Sequence, residues 1–266
     1  MMDVIAAQVE AVQGRIAAAA RRAGRSPEEI RLVGVTKTHP PELVARALAA
    51  GLRDFGENRV QEAEPKIAAL HADRDAITWH LIGHLQSNKA RRAAALFDLI
   101  HSVDSLHLAV ALDRHVTAPE SGSRGVGESG SNPPSPTPLP PYPPTPLPVL
   151  LQVNVSGEAS KDGFVLAGWE QRPELRDSFF AEVERLLALP HLRVGGLMTI
   201  APGGEDPEAA RPTFRSTRRL RDALARRFPA ADWSALSMGM TDDFEVAIEE
   251  GATIVRVGRA IFGKRQ

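Results

Sequence analysis

Hydrophobic residues follow two alternating spacings along most of the chain. Short runs rich in valine, isoleucine and leucine, typical of buried strands, are separated by longer stretches whose apolar residues recur every three or four positions, as on one face of a helix. The runs predict eight strands, at 32–36, 53–56, 77–82, 97–101, 149–155, 192–198, 235–238 and 253–257. The intervening stretches predict a first helix that ends near Gly24, a helix from Pro41 to Gly51, a helix that begins near Asn58 and a helix that ends at Leu96. Further helices are predicted at 104–116, 175–189, 208–227, 242–250 and 260–264, and Asp104 is predicted to be the N-cap of the first of these five.

The hydrophobic pattern stops between Ala118 and Pro148. This segment joins a Gly/Ser-rich half to a Pro-rich half and holds more than half of the protein's 21 prolines. Glycine and serine favour flexible chain, and proline favours an extended polyproline II conformation, so 118–148 is predicted to be a flexible insertion. A tolerated surface insertion is the favoured interpretation, and a PxxP docking arm for a partner domain is the alternative.

The order of the predicted elements is typical of a (β/α)8 barrel. Eight strands, each followed by a helix, match this α/β architecture with one additional helix in front, and the insertion falls after the fourth strand and helix. We therefore expect a single TIM-barrel domain over residues 1–266, interrupted at 118–148. A doubly wound open sheet is the alternative, because short strands are easily miscounted from a sequence.

The composition fits a protein with a full hydrophobic core and narrows its partners. The 266 residues are 43% hydrophobic and 24% charged with a formal net charge of -1, so no global basic field attracts nucleic acid or an anionic membrane. The protein has no cysteine, which excludes disulfides, thiolate metal sites and cysteine catalysis. No segment approaches the roughly 20 apolar residues of a membrane span. We expect a cytoplasmic protein.

Lys37 closes the first predicted strand, directly before Thr38, His39 and two prolines. An amine beside a buried strand loses part of its hydration, which lowers its pKa and prepares it to attack a carbonyl group. Most lysines are solvated, so this position alone does not establish a site. In a closed barrel, however, the last strand lies beside the first, and active sites form at the carboxyl ends of the strands.

Residues that suit a phosphate follow the seventh and eighth predicted strands. They are Ser237, Gly239 and Thr241 after strand seven, and Arg256 and Gly258 at the end of strand eight. Loops at these two positions of TIM barrels often hold a phosphate through backbone N–H groups and a helix N-terminus. An amine, a fixed cation and a phosphate cradle at one mouth predict a phosphorylated carbonyl ligand, bound either by a phosphosugar aldolase or by a pyridoxal 5'-phosphate (PLP) protein.

His80 and His84 are four residues apart, a spacing that raises the question of a metal site. They straddle the end of a strand and the following loop, and the glutamate of an HExxH zinc site is missing. We interpret them as pocket-lining or structural residues and expect no metal.

Motifs along nearly the whole chain outside 118–148 resemble those of one family, the pyridoxal phosphate homeostasis proteins, which are single-domain relatives of the alanine racemase barrel. The motifs are VGVTKTHP, DFGENRVQE, WHLIGHLQSNKAR, HSVDS, VNVSGEASKDGF, GLMTIAP and SMGMTDDFEVAIEEGATIVRVGRAIFG. The insertion departs from the family's pattern. Because it lies between predicted elements, it puts little of the site in doubt.

The resemblance implies a role for each candidate site residue. Lys37 forms the internal aldimine, a Schiff base with PLP, and Arg256 faces the pyridine nitrogen. Asn58 lies near the cofactor ring, the phosphate is surrounded by Ser237, Gly239, Thr241, Gly258 and Arg259, and Met198, with Thr199, lines the mouth. A guanidinium does not give up its proton, so it donates to the pyridine nitrogen, leaves it unprotonated and weakens the cofactor as an electron sink.

The same resemblance implies a PLP-binding protein of intracellular PLP homeostasis without established catalytic turnover. Two-base racemisation needs a second acid/base group opposite the lysine, a tyrosine in alanine racemase, and this protein's one tyrosine, Tyr142, lies in the insertion. A PLP-dependent amino acid racemase or lyase is the alternative, because His80 or His84 could act as a base. The expected partners are PLP and the PLP-dependent apoenzymes that receive it, and the lack of residues for a second domain favours a monomer.

Overall fold

Eight parallel strands close into a barrel in the computed structural model, which describes residues 3–116 and 146–263. The described residues form nine strands, all of which except β6 belong to the barrel: β1 (Arg31–Val35), β2 (Asp54–Glu57), β3 (Thr78–Leu81), β4 (Leu99–Val103), β5 (Leu147–Asn154), β6 (Phe164–Val165), β7 (Leu192–Met198), β8 (Ala235–Ser237) and β9 (Ile254–Val257). Neighbouring strands follow the order β4-β3-β2-β1-β9-β8-β7-β5, and the pairing of β4 with β5 closes the ring. The short strand β6 pairs with β5. The predicted (β/α)8 barrel is confirmed, and the open sheet is excluded.

Helices surround the barrel, and one of them precedes it. They are α1 (Val4–Arg22), α2 (Pro41–Ala49), α3 (Val60–Ala69), α4 (Ala90–Leu96), α5 (Leu106–Asp113), α6 (Pro173–Leu187), α7 (Arg211–Arg227), α8 (Phe244–Glu249) and α9 (Arg259–Phe262). Helix α1 packs against α2, α8 and α9. Its residues Ile5, Val9, Val12 and Ile16 recur at helical spacing and are buried, so the apolar face of α1 covers the helices that follow β1, β8 and β9.

Side chains of the strands alternate between two apolar layers. The layer inside the barrel consists of Val33, Leu99, Leu150, Met198 and Ile254. Residues that point the other way, such as Phe55, Trp79 and Leu151, are completely buried in a larger layer shared with the helices. Burial of each such large side chain contributes roughly 1.5–3 kcal/mol relative to an exposed position. The barrel interior is therefore a packed core and not a pore.

Some predicted boundaries are wrong. Strand β5 begins at Leu147, so Leu147 and Pro148 belong to the barrel and not to an insertion that ends at 148. The flexibility predicted for 118–148 otherwise concerns residues 118–145, which lie outside the described residues. The N-cap of α5 is Ser105 and not Asp104, because the Ser105 hydroxyl accepts a hydrogen bond from the Leu108 N–H at 3.2 Å. Strand β6 is too short, at two residues, to produce a recognisable alternation.

The described part of the chain holds no helix with both the length and the apolar character that crossing a membrane requires.

Candidate functional site

A cavity of about 520 Å³ lies at the carboxyl ends of β1 and β9, which are paired neighbours in the barrel. Its polar lining comes from Lys37, His39, Thr241, Asp242, Arg256 and Arg259 and from the backbone at Gly258. The volume falls in the range of sites for small ligands and cofactors. Three of these side chains carry a positive charge and one, Asp242, carries a negative charge, so the excess of positive charge favours an anionic ligand.

Lys37 follows β1 by two residues and sits on a tightly held turn. The backbone N–H of His39 donates to the Thr36 carbonyl at 3.0 Å, and Thr38 between them has φ of 66°, in the left-handed region. This conformation costs a β-branched residue about 1–3 kcal/mol, so the surrounding structure must impose it. The turn brings Lys37, half-buried, and His39 to the same cavity.

A buried ion pair between Glu57 and Lys66 holds the chain just before Lys37. The Lys66 ammonium donates to the Thr36 carbonyl at 2.7 Å and also contacts the Glu57 carboxylate. The Thr36 hydroxyl donates to the same carboxylate oxygen of Glu57 at 2.6 Å. Burial raises the pKa of Glu57, and the charge of Lys66 acts in the opposite direction. Strand β2 and helix α3 thus fix the backbone that carries Lys37.

Arg256, on β9, presents a buried guanidinium to the cavity. Its Nη1 donates to the Ser237 hydroxyl at 2.7 Å, and its Nη2 donates to the Thr199 carbonyl at 2.9 Å. Burial lowers the pKa of Arg256 to about 10, and the nearby Asp243 carboxylate opposes that effect. Arg256 therefore keeps its proton at neutral pH and is a fixed cation with a fixed orientation.

Two aspartates after β8 shape the edge of the cavity. Asp242 forms an ion pair with Arg259, and both side chains are more than half exposed. The carboxylate of Asp243 accepts a hydrogen bond from the Met240 N–H at 2.6 Å, and burial raises its pKa. Asp243 thus stabilises the loop. Asp242 partly neutralises the positive charge of Arg259 at the rim of the cavity.

The structure brings together five of the nine residues that the sequence assigned to the site. These five line the cavity: Lys37, Thr241, Arg256, Gly258 and Arg259. The cavity is also lined by residues that were not among the predicted site residues: Val35, His39, Ile82, Met240, Asp242 and Gly263. The sequence feature that could have identified His39 as a cavity residue is its position two residues after Lys37.

The other four predicted residues are not among those that line the cavity. Met198 is completely buried in the apolar layer inside the barrel. The Ser237 hydroxyl is buried and contacts Arg256 and His101. Gly239 has φ of 94°, and a Cβ there would lie 2.7 Å from the Ala247 Cβ, so this glycine serves the turn and the packing of α8. The backbone of Asn58 packs so closely on Gly83 that a Cβ at Gly83 would lie 2.3 Å from the Asn58 carbonyl oxygen.

The two histidines that raised the metal question are separated by the fold. His80 is completely buried inside the barrel, whereas His84 is half exposed beside Asp104, at 3.1 Å from its carboxylate. Within residues 3–116 and 146–263, no group of three or more metal-binding side chains is placed to hold an ion.

The set of donors fits a ligand with an aldehyde and a phosphate. Lys37 supplies an amine, Arg256 and Arg259 supply cations, and Thr241 supplies a hydroxyl. Gly258 also lines the cavity, and a Cβ there would lie 3.2 Å from the Val35 carbonyl oxygen, so a side chain at this position would crowd the end of β1. An amine can bond a carbonyl carbon, and the cations and N–H groups can bind phosphate oxygens.

Comparison with known proteins agrees with this chemistry. The family model for the alanine racemase N-terminal domain matches residues 8–266. The chain is 41% identical over 252 residues to the pyridoxal phosphate homeostasis protein of Aquifex aeolicus, covering 95% of this chain and 94% of that protein. It is 42% identical over 270 residues to the protein of the same name from Escherichia coli K12, covering 99% and 98%. The solved structure of PipY from Synechococcus elongatus with PLP bound is similar with a TM-score of 0.72 and 35% identity, covering 97% of this chain and all (100%) of that one.

Proposed function

Because this chain belongs to the alanine racemase N-terminal-domain family, as one of the pyridoxal phosphate homeostasis proteins, we propose that it binds PLP at the Lys37 cavity and takes part in intracellular PLP balance. The observation that supports the cavity as the site is the convergence of Lys37 and Arg256 from the neighbouring strands β1 and β9. PLP offers an aldehyde and a phosphate, and this cavity offers an amine and cations.

Each side chain of the cavity has a role in the proposal. The Lys37 nitrogen forms a double bond to the aldehyde carbon, and the aldehyde oxygen leaves as water. Arg256 donates to the pyridine nitrogen, while Arg259, Thr241 and the backbone at Gly258 bind the phosphate. Cations and N–H donors suit a phosphate dianion through charge-assisted hydrogen bonds. Ser237 supports this site through Arg256, whose guanidinium it contacts.

A carrier of PLP, rather than an enzyme, is the function that the residues favour. A racemase needs a second acid/base group across from the lysine. The two aspartates at the cavity edge are engaged, Asp242 with Arg259 and Asp243 with the Met240 N–H, and the one tyrosine, Tyr142, lies outside the described residues. A reversible covalent bond to Lys37 would store a reactive aldehyde and release it to PLP-dependent apoenzymes.

A PLP-dependent amino acid racemase or lyase is the second candidate, and His39 is the observation that favours it. Its imidazole lines the same cavity as Lys37 and packs on the Phe262 ring, with 5.4 Å between ring centroids. An imidazole at this place is able to exchange a proton with a bound amino acid.

The visible absorption spectrum tests the proposal. Wild type titrated with PLP should gain the yellow absorption band of a lysine-bound cofactor, and Lys37→Ala should not. The same band in Lys37→Ala, or none in wild type, would contradict the proposal. An amino acid turnover assay then separates the two candidates, because turnover that disappears in both Lys37→Ala and His39→Gln would favour the enzyme.

A further inference from the structure

Five polar side chains from five strands form a continuous chain of contacts inside the barrel. The Asp54 carboxylate on β2 lies 2.9 Å from Nε2 of His80 on β3, and Nδ1 of His80 lies 2.9 Å from Nε2 of His101 on β4. Nδ1 of His101 lies 2.8 Å from the hydroxyl of Ser237 on β8, which accepts from Arg256 on β9 at 2.7 Å. We call these five residues the interior polar chain.

The interior polar chain is buried except at one end. His80, His101 and Ser237 are completely buried, whereas the Asp54 side chain is 18% exposed at the first residue of β2, the amino end of the barrel. Arg31, at the same end, has its Nε 3.7 Å from the Asp54 carboxylate. Buried polar groups destabilise a fold unless each finds a partner, and here each does. The cavity at Arg256 is thus linked to a carboxylate at the opposite end of the barrel.

With one proton on each imidazole, the two ends of the chain dictate the direction of every hydrogen bond in it. A guanidinium only donates and an ionised carboxylate only accepts. His80 therefore donates from Nε2 to Asp54, and its Nδ1 accepts from Nε2 of His101. Nδ1 of His101 then accepts from the Ser237 hydroxyl, whose oxygen accepts from Arg256. In this arrangement all hydrogens point from Arg256 towards Asp54, and each imidazole carries its proton on Nε2.

The charges around His101 support this arrangement. Burial lowers the pKa of His101 well below its usual range, and the nearby positive charges of Arg256 and Arg31 act in the same direction. His101 is therefore neutral at physiological pH. Asp243, just before α8, is the other charged group that interacts with Arg256, the residue at the cavity end of the interior polar chain.

We infer that Asp54, His80, His101 and Ser237 are positioning residues that hold the Arg256 guanidinium in one orientation, and that the Asp54 carboxylate sets the polarity of the whole chain. The inference rests on the proposed function, in which Arg256 faces the pyridine nitrogen of PLP. Removal of the carboxylate would free the two imidazoles to reverse their hydrogen bonds, so that Nδ1 of His101 could donate to the Ser237 oxygen and compete there with the donation from Arg256.

Imidazole ¹⁵N NMR on the protein without PLP tests the direction of the chain. Both His80 and His101 should be neutral with the proton on Nε2 at about pH 7, and this pattern should be lost in Asp54→Asn. The opposite tautomer at either histidine, or a doubly protonated His101, would overturn the inference. This measurement does not depend on PLP binding, so its result stands even if the proposed function fails.

PLP titration of Asp54→Asn tests the consequence at the cavity. Asparagine keeps the size and one acceptor of Asp54 and lies far along the chain from the cavity, so a direct contact with PLP does not complicate the result. We expect about tenfold weaker PLP binding and a shifted pH profile of the bound-cofactor absorption, whereas the exposed control Asp75→Asn should match wild type. Wild-type affinity and pH profile in Asp54→Asn would contradict the inference.

Ser237→Ala provides a second break in the chain in case Asp54→Asn does not fold. It removes one small hydroxyl, so the fold should persist, as circular dichroism would show. It should reproduce the weaker binding and the shifted pH profile, and His107→Gln, which changes an exposed histidine outside the chain, should not. If wild type binds PLP and Ser237→Ala behaves like wild type, the chain has no positioning role. If wild type itself fails to bind PLP, the proposed function fails instead.

Discussion

The Lys66 ammonium donates a hydrogen bond to the Thr36 carbonyl at 2.7 Å, one residue before Lys37. Lys66 lies on α3 and is almost completely buried together with Glu57. A buried lysine that contacts both a carboxylate and a backbone carbonyl ties the helix after β2 to the end of β1. The position of the Lys37 amine therefore depends on an ion pair that does not line the Lys37 cavity.

Lys66→Met should be strongly destabilising. It leaves the Glu57 carboxylate buried without its cation, which costs about 3–5 kcal/mol in the free energy of unfolding. Urea denaturation of the protein measures this loss. Arg92→Met, which breaks the exposed pair of Arg92 with Glu64, is the matched control and should cost no more than about 1 kcal/mol. Adding Glu57→Gln to Lys66→Met should restore part of the stability, and a double variant less stable than Lys66→Met would contradict this account.

Arg256→Lys should weaken PLP binding although the charge is retained. A lysine has no planar fork, so it cannot reproduce the donation to Ser237 and Thr199 while also presenting an N–H to the cavity. We expect about tenfold weaker binding in an absorbance titration with PLP. Arg218→Lys, on the exposed face of α7, is the control for the same substitution. Equal affinity in Arg256→Lys and wild type would exclude a geometric role for the guanidinium.

Gly239→Ala should destabilise the loop between β8 and α8. The φ of 94° is unfavourable for alanine, and its Cβ would meet the Ala247 Cβ at 2.7 Å and the Phe244 Cα at 2.9 Å. The expected loss is about 1–3 kcal/mol. In Gly14→Ala the new methyl group lies on α1 with no other atom within 4 Å, so that variant should instead gain roughly 0.5–1 kcal/mol. Thermal unfolding of the two variants should therefore shift in opposite directions.

Asp3 should contribute a small, acid-sensitive part of the stability. Its ion pair with Arg46, and then its hydrogen bond from the Ile5 N–H, lower the pKa of Asp3 from 3.8 to about 2. The folded state thus favours the ionised carboxylate, so the stabilisation is complete above pH 3.8 and is lost as the pH falls through about 2.

Asp3→Asn tests this pH dependence because asparagine keeps the N-cap acceptor of α1 and removes the charge. Wild type should melt at a higher temperature than Asp3→Asn near neutral pH, and the gap should close as the pH falls from 3.8 to about 2. Since the pair is exposed, added salt should also narrow the gap. A gap that is independent of pH would show that the charge of Asp3 does not contribute.

The pattern of apolar residues was sufficient to predict the barrel and part of its site. Strand ends follow from local composition, and once eight strands are counted, closure puts the last strand beside the first. Lys37 and Arg256 are therefore neighbours by topology, and the structure places both at one cavity. The same reasoning predicts that Gly258 and Arg259 lie at this cavity, because they come directly after β9.

Contacts across the barrel were beyond such reasoning. Ser237 follows a strand as a phosphate ligand would, yet its hydroxyl contacts Arg256 and His101, and Met198 points into the apolar interior. A spacing of two residues tells which side chains face inward, but the stagger between strands decides which inward side chains meet. His80 and His101 are 21 residues apart and belong to different strands, so only the closed barrel, with its strands in register, brings their imidazoles within 2.9 Å.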